Sequence, residues 1–346
     1  MAGVTLQTIA DQVGVSRMTV SNAYSRPDQL SPALREKILK VGERLGYSGP
    51  DPAARALKRG STGAFGLLLP ASLPSAFKMQ VRTEFLAAVA AELASTGMAM
   101  TLLPATSSGE VIPARDVAVD GVVVYGCDPR STALQLVRDR GIPLVYVDQE
   151  PDPSVESVNI DDYGGAFAAA AHLTELGHRR IGILTFRTEA GAPPRFIESE
   201  RERGWTTALT TAGVTPVVAT ALGDGADDGL AVARRLLEEN PDLTGVLCFS
   251  DIIAGSALAA AAALGRRVPE DLSVVGFDDD SSARLLRPAL TTIRQDVALK
   301  GRTAAAAITA AVRRRGKPAR AKHTVLPAHL VIRSSTAPAP ASSHVL

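Results

Sequence analysis

Four consecutive side chains, Ser16-Arg17-Met18-Thr19, stand at the predicted start of a helix directly behind a tight turn. Ser16 can cap such a helix, and the side chains after it are placed to meet base edges in the major groove of a duplex. Arg17 has two further interpretations, a phosphate contact and a solvated surface arginine, because all three look alike in a sequence. The chemistry predicted for this segment is hydrogen bonding to nucleic acid.

The turn in front of these residues has the spacing of a helix-turn-helix. Ala10 lets two helices approach, Gly14 makes the turn and the branched Val20 locks the crossing. A generic three-helix domain is the alternative interpretation of this pattern. We expect three short helices over residues 5–48, the second at about 16–24 and the third opened by Ser31-Pro32 and closed by Gly46.

Residues suited to covalent or metal chemistry are scattered. The histidines at positions 172, 178, 323, 329 and 344 form no motif, and the sequence has no GxSxG elbow, HExxH helix or P-loop. Cys127 and Cys248 lie far apart in apolar runs, which argues against a metal site or a disulfide framework and favours a reducing compartment. The glycine run at 223–229 has Asp228 where a dinucleotide-binding GxGxxG needs glycine. We therefore expect neither an enzyme nor a metal or cofactor site.

A short helix is expected in the linker at residues 50–62. Pro52 can open a helix, and the residues up to Arg59 are mostly good helix formers. A helix of about two turns is marginal alone, because isolated helices need roughly 12–15 residues. The segment is therefore predicted to be ordered only when something packs on it.

From residue 63 onward, apolar strand-like runs alternate with helical segments, which predicts parallel sheets covered on both faces. The expected strands are Phe65–Leu69, Met98–Leu103, Val122–Tyr125, Leu144–Val147, Ile181–Phe186, Val217–Leu222, Val246–Phe249 and Ser273–Phe277. The expected helical segments include Val81–Ser95, Gly164–Leu176, Gly204–Ala212 and Leu230–Glu239. The interruption near 150–163 favours two similar lobes over one barrel. The Pro/Ala/Ser-rich segment Ala337–Leu346 is predicted to be disordered.

Charge is unevenly distributed along the 346 residues. Residues 1–60 hold nine Lys/Arg and five Asp/Glu, a net charge of +4, so the rest of a chain whose net charge is +1 carries −3. A basic head on a slightly acidic body suits a nucleic-acid-binding module joined to another domain. The N-terminus shows no secretion signal, and the longest apolar stretch, Ala257–Leu264, is far shorter than the roughly 20 residues that span a bilayer. We expect a cytoplasmic protein without a membrane contact.

Ordered motifs along the chain resemble those of the LacI/GalR (lactose-repressor) family of transcription regulators. The resemblance runs from about residue 4 to 336 and rests on Val4–Ala10, Gly14–Ser16, Thr19–Ser21, Leu45–Tyr47, Val158–Asp162, His172–Ile181, Val274–Asp279, Leu290–Asp296 and Arg333–Thr336. It implies an all-α helix-turn-helix head (1–49), a hinge helix and linker (50–62) and an α/β two-lobed, periplasmic-binding-protein-like body with parallel sheets (63–336). The body would bind the effector and dimerise, and a disordered tail (337–346) would follow.

In this family the head and the hinge contact DNA, and the resemblance carries that role to matching positions. Arg17 and Met18 fall at the most specificity-determining places, whereas Asn22 stands where several members have a basic residue. Ala54 and Leu57 match hinge residues that enter the minor groove, where an apolar wedge unstacks a base step. The alternative for Leu57 is packing on the body. The predicted DNA-binding set is Thr5, Ser16, Arg17, Met18, Thr19, Ser21, Asn22, Gln29, Tyr47 (a phosphate contact), Ala54, Leu57 and Lys58.

Family members bind effectors at strand ends in the cleft between the lobes, where open α/β sheets bind ligands. The matching positions are Pro70, Tyr125, Asp148, Arg201, Ser250, Asp278 and Gln295. Arg201 lies three residues before Gly204-Trp205, as the family's ligand-holding arginine does, and its guanidinium can grip vicinal hydroxyls or a carboxylate. Asp278 can accept hydrogen bonds from sugar hydroxyls, although ion pairs between the lobes would use the same residues. Ser250 stands where an asparagine is common, and segment 223–229 lacks an aromatic that many members have, which weakens a sugar effector without excluding it.

The resemblance implies a homodimer that places two heads on a near-palindromic operator, with paired hinge helices in the minor groove between them. A small-molecule effector, a sugar or related metabolite, would change the angle between the lobes and bias the order of the hinge. Release and recruitment by the effector are both compatible with this scheme, and a repressor is favoured over an activator. A free-standing solute-binding protein would lack the head, and an architectural DNA-binding protein would leave residues 63–336 unexplained.

Overall fold

The computed structural model describes residues 4–70, 73–105, 112–187, 190–191, 193–223, 226–314 and 320–340. The chain divides into two compact units, Met1–Gly63 and Ala64–Leu346. The first unit contains the head and the hinge, and the second is the body. The predicted boundary between linker and body, after residue 62, lies one residue before this division.

The helices of the head are α1 (Leu6–Val13), α2 (Arg17–Ser25) and α3 (Pro32–Arg44), with a 3-10 turn at Pro27–Gln29. Each of these helices begins at a hydroxyl cap, supplied by Thr5, Ser16 and Ser31, whose oxygen accepts a hydrogen bond from an N–H of the first turn. Gly14 joins α1 to α2 with a φ of 77°, the left-handed conformation expected for this turn. The predicted helix-turn-helix is confirmed.

The three helices pack around a small apolar core. Ile9, Ala10, Val20, Ala23 and Ile38 are each at most 1% exposed. Two of them come from each of α1 and α2, and one comes from α3. Because the core fixes the inner faces of the helices, the outer face of α2 is held as a rigid surface.

A separate short helix, α4 (Pro52–Arg59), occupies the predicted hinge. Asp51 caps its start by accepting a hydrogen bond from the N–H of Ala53, and Gly60 ends it in the left-handed conformation with a φ of 65°. The side chain of Leu57 is 86% exposed. Whether the helix forms without a partner stays a prediction.

The body has two lobes with a six-stranded sheet in each. The strands of the first lobe are β1 (Ala64–Leu69), β2 (Ala99–Pro104), β3 (Gly121–Tyr125), β4 (Leu144–Val147), β5 (Glu156–Ile160) and β11 (His323–Leu326). Those of the second lobe are β6 (Ile181–Arg187), β7 (Val217–Leu222), β8 (Gly245–Cys248), β9 (Ser273–Asp278), β10 (Thr291–Gln295) and β12 (Ala328–Val331). Their orders are β11-β5-β4-β3-β1-β2 and β12-β10-β9-β8-β6-β7. The pairs are parallel except that β12 runs antiparallel to β10.

Helices flank the sheets of both lobes. Those of the first lobe are α5 (Leu73–Ala76), α6 (Gln80–Ala94), α7 (Pro113–Asp116), α8 (Thr132–Asp139) and α14 (Val297–Arg313). Those of the second are α9 (Asp162–Glu175), α10 (Phe196–Thr211), α11 (Ala226–Glu239), α12 (Asp251–Ala263) and α13 (Ser281–Leu285). The chain passes between the lobes from β5 to α9, from β10 to α14 and from β11 to β12. The carboxyl ends of the strands therefore meet near the crossovers, which is where a ligand cleft is expected.

The eight predicted strands are present, with ends shifted by at most one residue, but β5, β10, β11 and β12 were not predicted as strands. Their sequences mix polar with apolar residues, and several of the polar ones are buried. Asn159 in β5 is 3% exposed, and Thr291 and Thr292 in β10 are fully buried. Strands of this kind lack the apolar run by which the other strands are recognised.

The start of the C-terminal tail is bonded to the second lobe, which corrects the prediction of disorder from Ala337 onward. The N–H of Ala337 donates to Ser273 Oγ at 3.1 Å, and its carbonyl accepts from His178 Nε2 at 3.0 Å. The N–H of Ala339 donates to the carbonyl of Leu176 at 2.8 Å. Residues 341–346 of the predicted tail lie outside the described residues. Within the described chain, none of the helices has the length and apolar character needed to cross a membrane.

Candidate functional site

The exposed face of α2 presents the residues predicted to read bases. Arg17 is exposed and Met18 is 59% exposed, at the start of the helix. Ser16 and Thr19 are bonded to each other, because Ser16 Oγ accepts from the N–H of Thr19 at 3.0 Å and lies 2.9 Å from its hydroxyl. Asn22 Nδ2 donates to Gln29 Oε1 at 3.1 Å, which orients both amides. Local hydrogen bonds therefore hold part of this surface, and the long side chains of Arg17 and Met18 extend from it.

The remaining DNA-binding predictions lie elsewhere on the first unit. Thr5 is exposed at the cap of α1, Ser21 is half-buried on α2, and Tyr47 packs edge-on against Tyr24 with ring centroids 5.5 Å apart. Burial raises the pKa of the Tyr47 phenol, which keeps it protonated and able to donate to a phosphate. The hinge residues Ala54, Leu57 and Lys58 are all exposed on α4. Their contact with DNA stays a prediction.

A cavity lined by residues of both lobes, with about 50 Å³ of space accessible to water, lies between the two lobes of the body. Six of the seven residues predicted to bind an effector line it, namely Pro70, Tyr125, Asp148, Arg201, Asp278 and Gln295. Five of them stand at or just after the carboxyl ends of strands, and Arg201 projects from α10. The fold thus brings together residues that are up to 225 positions apart, from 70 to 295.

Ser250 is not among the residues that line this cavity, and its contact with an effector stays a prediction. Its side chain is 2% exposed, and its hydroxyl caps α12 by accepting from the N–H of Ile253 at 3.3 Å. A serine at a strand-to-helix turn can point into a cleft or cap the helix, and here it caps the helix.

Arg201 is held in place by the residues around it. Its Nε donates to Asp162 Oδ1 at 2.8 Å, and its Nη1 donates to the carbonyl of Phe249 at 2.5 Å. The guanidinium carbon lies 3.5 Å from the ring centroid of Phe277 and 4.5 Å from that of Phe249. Burial opposes the charge, but the carboxylates of Asp162 and Asp278 outweigh it and raise the pKa of Arg201. The guanidinium is a fixed, permanently charged donor at the cavity wall.

A second polar group surrounds Lys300, which is 1% exposed. Its Nζ donates to Asp148 Oδ2 at 2.7 Å and to Gln295 Oε1 at 3.0 Å. Gln295 Nε2 in turn donates to Asp278 Oδ1 at 2.6 Å. Burial disfavours the ammonium, yet Asp148 and Tyr125 outweigh this effect and raise the pKa of Lys300. Asp148 therefore faces a buried cation, which occupies its Oδ2.

The two carboxylates of the cavity wall have unusual backbone and electrostatic settings. Asp148 has a φ of 52° and Asp278 a φ of 118°, values that non-glycine residues rarely adopt. Such conformations persist where the surrounding structure fixes them, and they concentrate at functional sites. Burial raises the pKa of Asp278 to about 6, against the lowering effects of Arg201 and of the hydrogen bond from Gln295. Asp278 can thus change its charge near neutral pH.

Several residues that line the cavity were not predicted from the sequence. Phe186 and Phe249 line the wall as an edge-on pair with centroids 4.6 Å apart, so aromatic rings are present although segment 223–229 supplies none. Both lie at the ends of predicted strands, and this position could have identified them. Arg82 and Arg195 also line the cavity, from opposite lobes. Lys300, which bonds to Asp148 and Gln295 without lining the cavity, carries no motif, and nothing in the sequence signals its place.

The described residues hold no cluster of three or more His, Cys, Asp or Glu side chains that could bind a metal ion. Cys127 and Cys248 are both buried as free thiols, and burial raises the pKa of Cys127 to about 12. His178 is fully buried between Thr244 and the carbonyl of Ala337, so it serves the packing of the tail.

Residues 5–49 match the model of bacterial regulatory proteins of the lacI family, and residues 170–336 match a periplasmic binding protein-like domain. The HTH-type transcriptional regulator IpsA of Corynebacterium glutamicum is 37% identical over 319 residues, which cover 86% of this chain and 88% of that protein. The HTH-type transcriptional regulator CelR of Thermobifida fusca is 32% identical over 342 residues, covering 96% of this chain and 98% of its own.

Two solved structures extend the comparison to the fold. A complex of the transcriptional regulator CelR with cellobiose has a TM-score of 0.70 at 30% identity, covering 96% of this chain and 99% of that one. A Lac repressor dimer bound to operator and the anti-inducer ONPF has a TM-score of 0.78 at 26% identity, covering 97% and 100%. With its helix-turn-helix head and two-lobed body, the chain belongs to the LacI family of HTH-type, DNA-binding transcriptional regulators.

Proposed function

We propose that this regulator binds a near-palindromic operator as a homodimer and that a small polyhydroxylated effector, a sugar or related metabolite, controls its DNA affinity from the cleft. Support comes from the named partners of two relatives, cellobiose for CelR and operator DNA for the Lac repressor dimer. The protein acts as a repressor in the cytoplasm, where its DNA is, and it carries out no catalysis of its own.

The observation that carries the effector proposal is at Asp148. Its Oδ1 is buried and has no hydrogen-bond partner among the described residues, while Oδ2 is taken by Lys300. A buried acceptor without a partner costs about 1–3 kcal/mol. Because Asp148 lines the cavity and its other oxygen already accepts from Lys300, Oδ1 is free to accept a hydrogen bond from a ligand. A hydroxyl group is one neutral donor that meets this requirement.

The rest of the cavity wall suits the same class of ligand. Asp278 is a second acceptor and Arg201 a fixed donor, so vicinal hydroxyls find both kinds of partner. Phe186 and Phe249 offer apolar surface against which the C–H face of a sugar ring can pack. The combination of a few oriented polar groups with aromatic walls is typical of small-molecule sites.

On DNA, the exposed α2 face enters the major groove, with Arg17 and Met18 at base edges, and the hinge enters the minor groove through Leu57. The support for this arrangement is the exposure of these side chains on capped helices. Binding of the effector changes the angle between the lobes and thereby biases the order of the hinge, so that the two ligands are energetically coupled.

The test begins with the full chain. Operator sequences are selected from random duplexes, and binding is followed by fluorescence anisotropy while neutral sugars, including cellobiose, are added singly. We expect at least one sugar to shift operator affinity by about 5–150-fold, the usual range of coupling. Asp278→Ala should bind operator normally without responding, whereas the surface variant Asp271→Ala should respond like the unchanged protein. A response in Asp278→Ala equal to that of the unchanged protein would place the effector elsewhere.

A further inference from the structure

Lys300 is a buried cation that the proposed binding of DNA and effector does not use. It lies in the first turn of α14, in the first lobe, and does not line the cavity. A fully buried lysine is rare unless it is paired, and here the pairing is double. One partner, Asp148, directly follows β4 in the same lobe, and the other, Gln295, ends β10 in the second lobe.

The hydrogen bonds at Lys300 begin a continuous polar chain across the floor of the cleft. From Gln295 the chain passes to Asp278 at 2.6 Å, from Asp278 Oδ1 to Arg201 Nη2 at 3.6 Å, and from Arg201 to Asp162 at 2.8 Å. Asp162 is the first residue of α9, directly after the crossover from β5. The chain therefore touches two of the three crossovers between the lobes.

The bond between Lys300 and Gln295 differs in kind from the ion pair with Asp148. An ion pair within the first lobe can stabilise that lobe without affecting its neighbour. The bond to Gln295 spans the crossover from β10 to α14. Gln295 is the last residue of β10, and Asp296, next in the chain, caps α14 by accepting from the N–H of Leu299 at 2.7 Å. Lys300 then lies in the first turn of α14. Rotation of one lobe against the other must change the geometry of this segment.

We propose that Lys300 is a latch that fixes the angle between the two lobes by holding Asp148 and Gln295 together. Lys300 is thus a positioning residue. It sets the places of two cavity residues without lining the cavity itself. The regulatory meaning of the latch rests on the proposed effector site, since a ligand that bonds to Asp148 or Gln295 acts on the same groups. The latch itself is tested without a ligand.

The test measures the angle between the lobes directly. Cys127 and Cys248 are buried, so spin labels can be attached at Gln135→Cys on α8 and Thr206→Cys on α10, both exposed positions in different lobes. The labelled full chain is diluted with an excess of unlabelled chain, and the distance between labels is measured by double electron–electron resonance without effector. We expect one narrow distribution for the unchanged protein and a broader, displaced one for Lys300→Met.

Two further variants separate a latch from a merely stabilising pair. Gln295→Met leaves the ion pair of Lys300 with Asp148 intact, so it should fold even if Lys300→Met does not, and it should broaden the distribution in the same way. Arg302→Met removes an exposed cation from the same helix and should leave the distribution narrow. A narrow, unshifted distribution in Gln295→Met would overturn the latch. The proposed effector site is tested separately, by the response of operator binding to sugars.

Discussion

The head and the cleft hold their functional side chains in opposite ways. On the head and hinge, Met18 is 59% and Leu57 86% exposed, and the hydrogen bonds nearby join residues close in sequence. In the cleft, Arg201 is 4% and Asp278 7% exposed, and their partners come from distant parts of the chain. The head presents side chains that the fold does not need, whereas the cleft uses side chains that also hold the fold together.

This difference predicts separate consequences for substitution. A buried charge whose partner is removed costs stability, because the remaining charge cannot return to water. A side chain on the outer face of α2 or α4 is in water before it binds, so its loss changes binding alone. Substitutions in the head should therefore change binding without changing stability, whereas substitutions in the cleft should change both.

The largest effect is expected for Arg201→Ala. The substitution leaves Asp162 and the carbonyl of Phe249 without their donor, and breaking such a buried pair costs about 3–5 kcal/mol. The body should unfold at a lower temperature, and the response of operator binding to any effector should disappear while the affinity for operator stays nearly unchanged. Thermal unfolding and anisotropy titrations measure the two effects.

Arg203→Ala is the matched control for this prediction. Arg203 is exposed two positions further along α10, and its ion pair with Glu200 lies at the surface. Such pairs contribute about 0–1 kcal/mol. Equal destabilisation by the two substitutions would mean that the buried contacts of Arg201 stabilise the fold no more than an ion pair at the surface.

A smaller, pH-dependent effect is expected at Asp278. Burial raises its pKa from 3.8 to about 6, so the folded state holds the proton more tightly than the unfolded state. The stabilising contribution of this group is complete below about pH 4 and is lost as the pH rises through about 6. Asp278→Asn has no such loss, so its stability relative to the unchanged protein should increase between pH 4 and pH 7 by on the order of 2 kcal/mol.

Denaturant unfolding of both proteins across that pH range measures the difference. Asp271→Asn provides the control with the opposite sign, because the hydrogen bonds from Arg267 lower the pKa of Asp271. Its stability relative to the unchanged protein, measured from lower pH, should fall as the pH rises towards about 4, the ordinary pKa of an aspartate, and stay level above it. A flat difference for Asp278→Asn would show that the carboxylate of the cleft is as well solvated as one at the surface.

For the head, Arg17→Ala should cost about 1–3 kcal/mol of operator binding and relax the preference at one base pair in each half-site. Because Arg17 is exposed, the unfolding temperature should not change. Binding to random duplexes should change less than binding to operator, and competition with random DNA measures the ratio. Equal losses on both kinds of DNA would make Arg17 a phosphate contact instead.

A region is predictable from the sequence when the contacts that form it join residues close together in the chain. The cap at Ser16 and the turn at Gly14 involve residues within a few positions of each other, so their types and spacing suffice to predict them. The apolar strands of the body are predictable for the same reason. Strands such as β10 were missed, because buried threonines hide the apolar pattern.

The cleft is only partly predictable. The family resemblance identified six of the residues that line the cavity, but it gave no information about what holds them. Arg201 meets Asp162 across 39 positions and Lys300 meets Asp148 across 152, and no local pattern encodes such pairs. Ser250 illustrates a second limit. A serine at the end of a strand can contact a ligand or cap the following helix, and the sequence does not distinguish the two.

The smallest effect is expected at Leu57 of the hinge, whose exposure differs most from that of the cleft residues. Leu57 is 86% exposed on an eight-residue helix, so its side chain gains contacts only when a partner covers it. Leu57→Ala should weaken operator binding by about 1 kcal/mol per subunit, the loss expected when part of an apolar side chain no longer leaves water. The thermal stability of the body and its affinity for a sugar measured without DNA should stay unchanged.

Hydrogen exchange on the same segment tests whether the hinge forms conditionally. A helix this short is marginal alone, since isolated helices need roughly 12–15 residues. Backbone amides at residues 51–59 should therefore exchange freely in the DNA-free protein and become protected on operator, while those of α2, which packs on the head core, are protected in both. Strong protection at 51–59 without DNA would mean a preformed hinge helix. Leu57 would then act as a rigid contact like Arg17, and the coupling between effector and DNA would have to work through the placement of the hinge rather than through its folding.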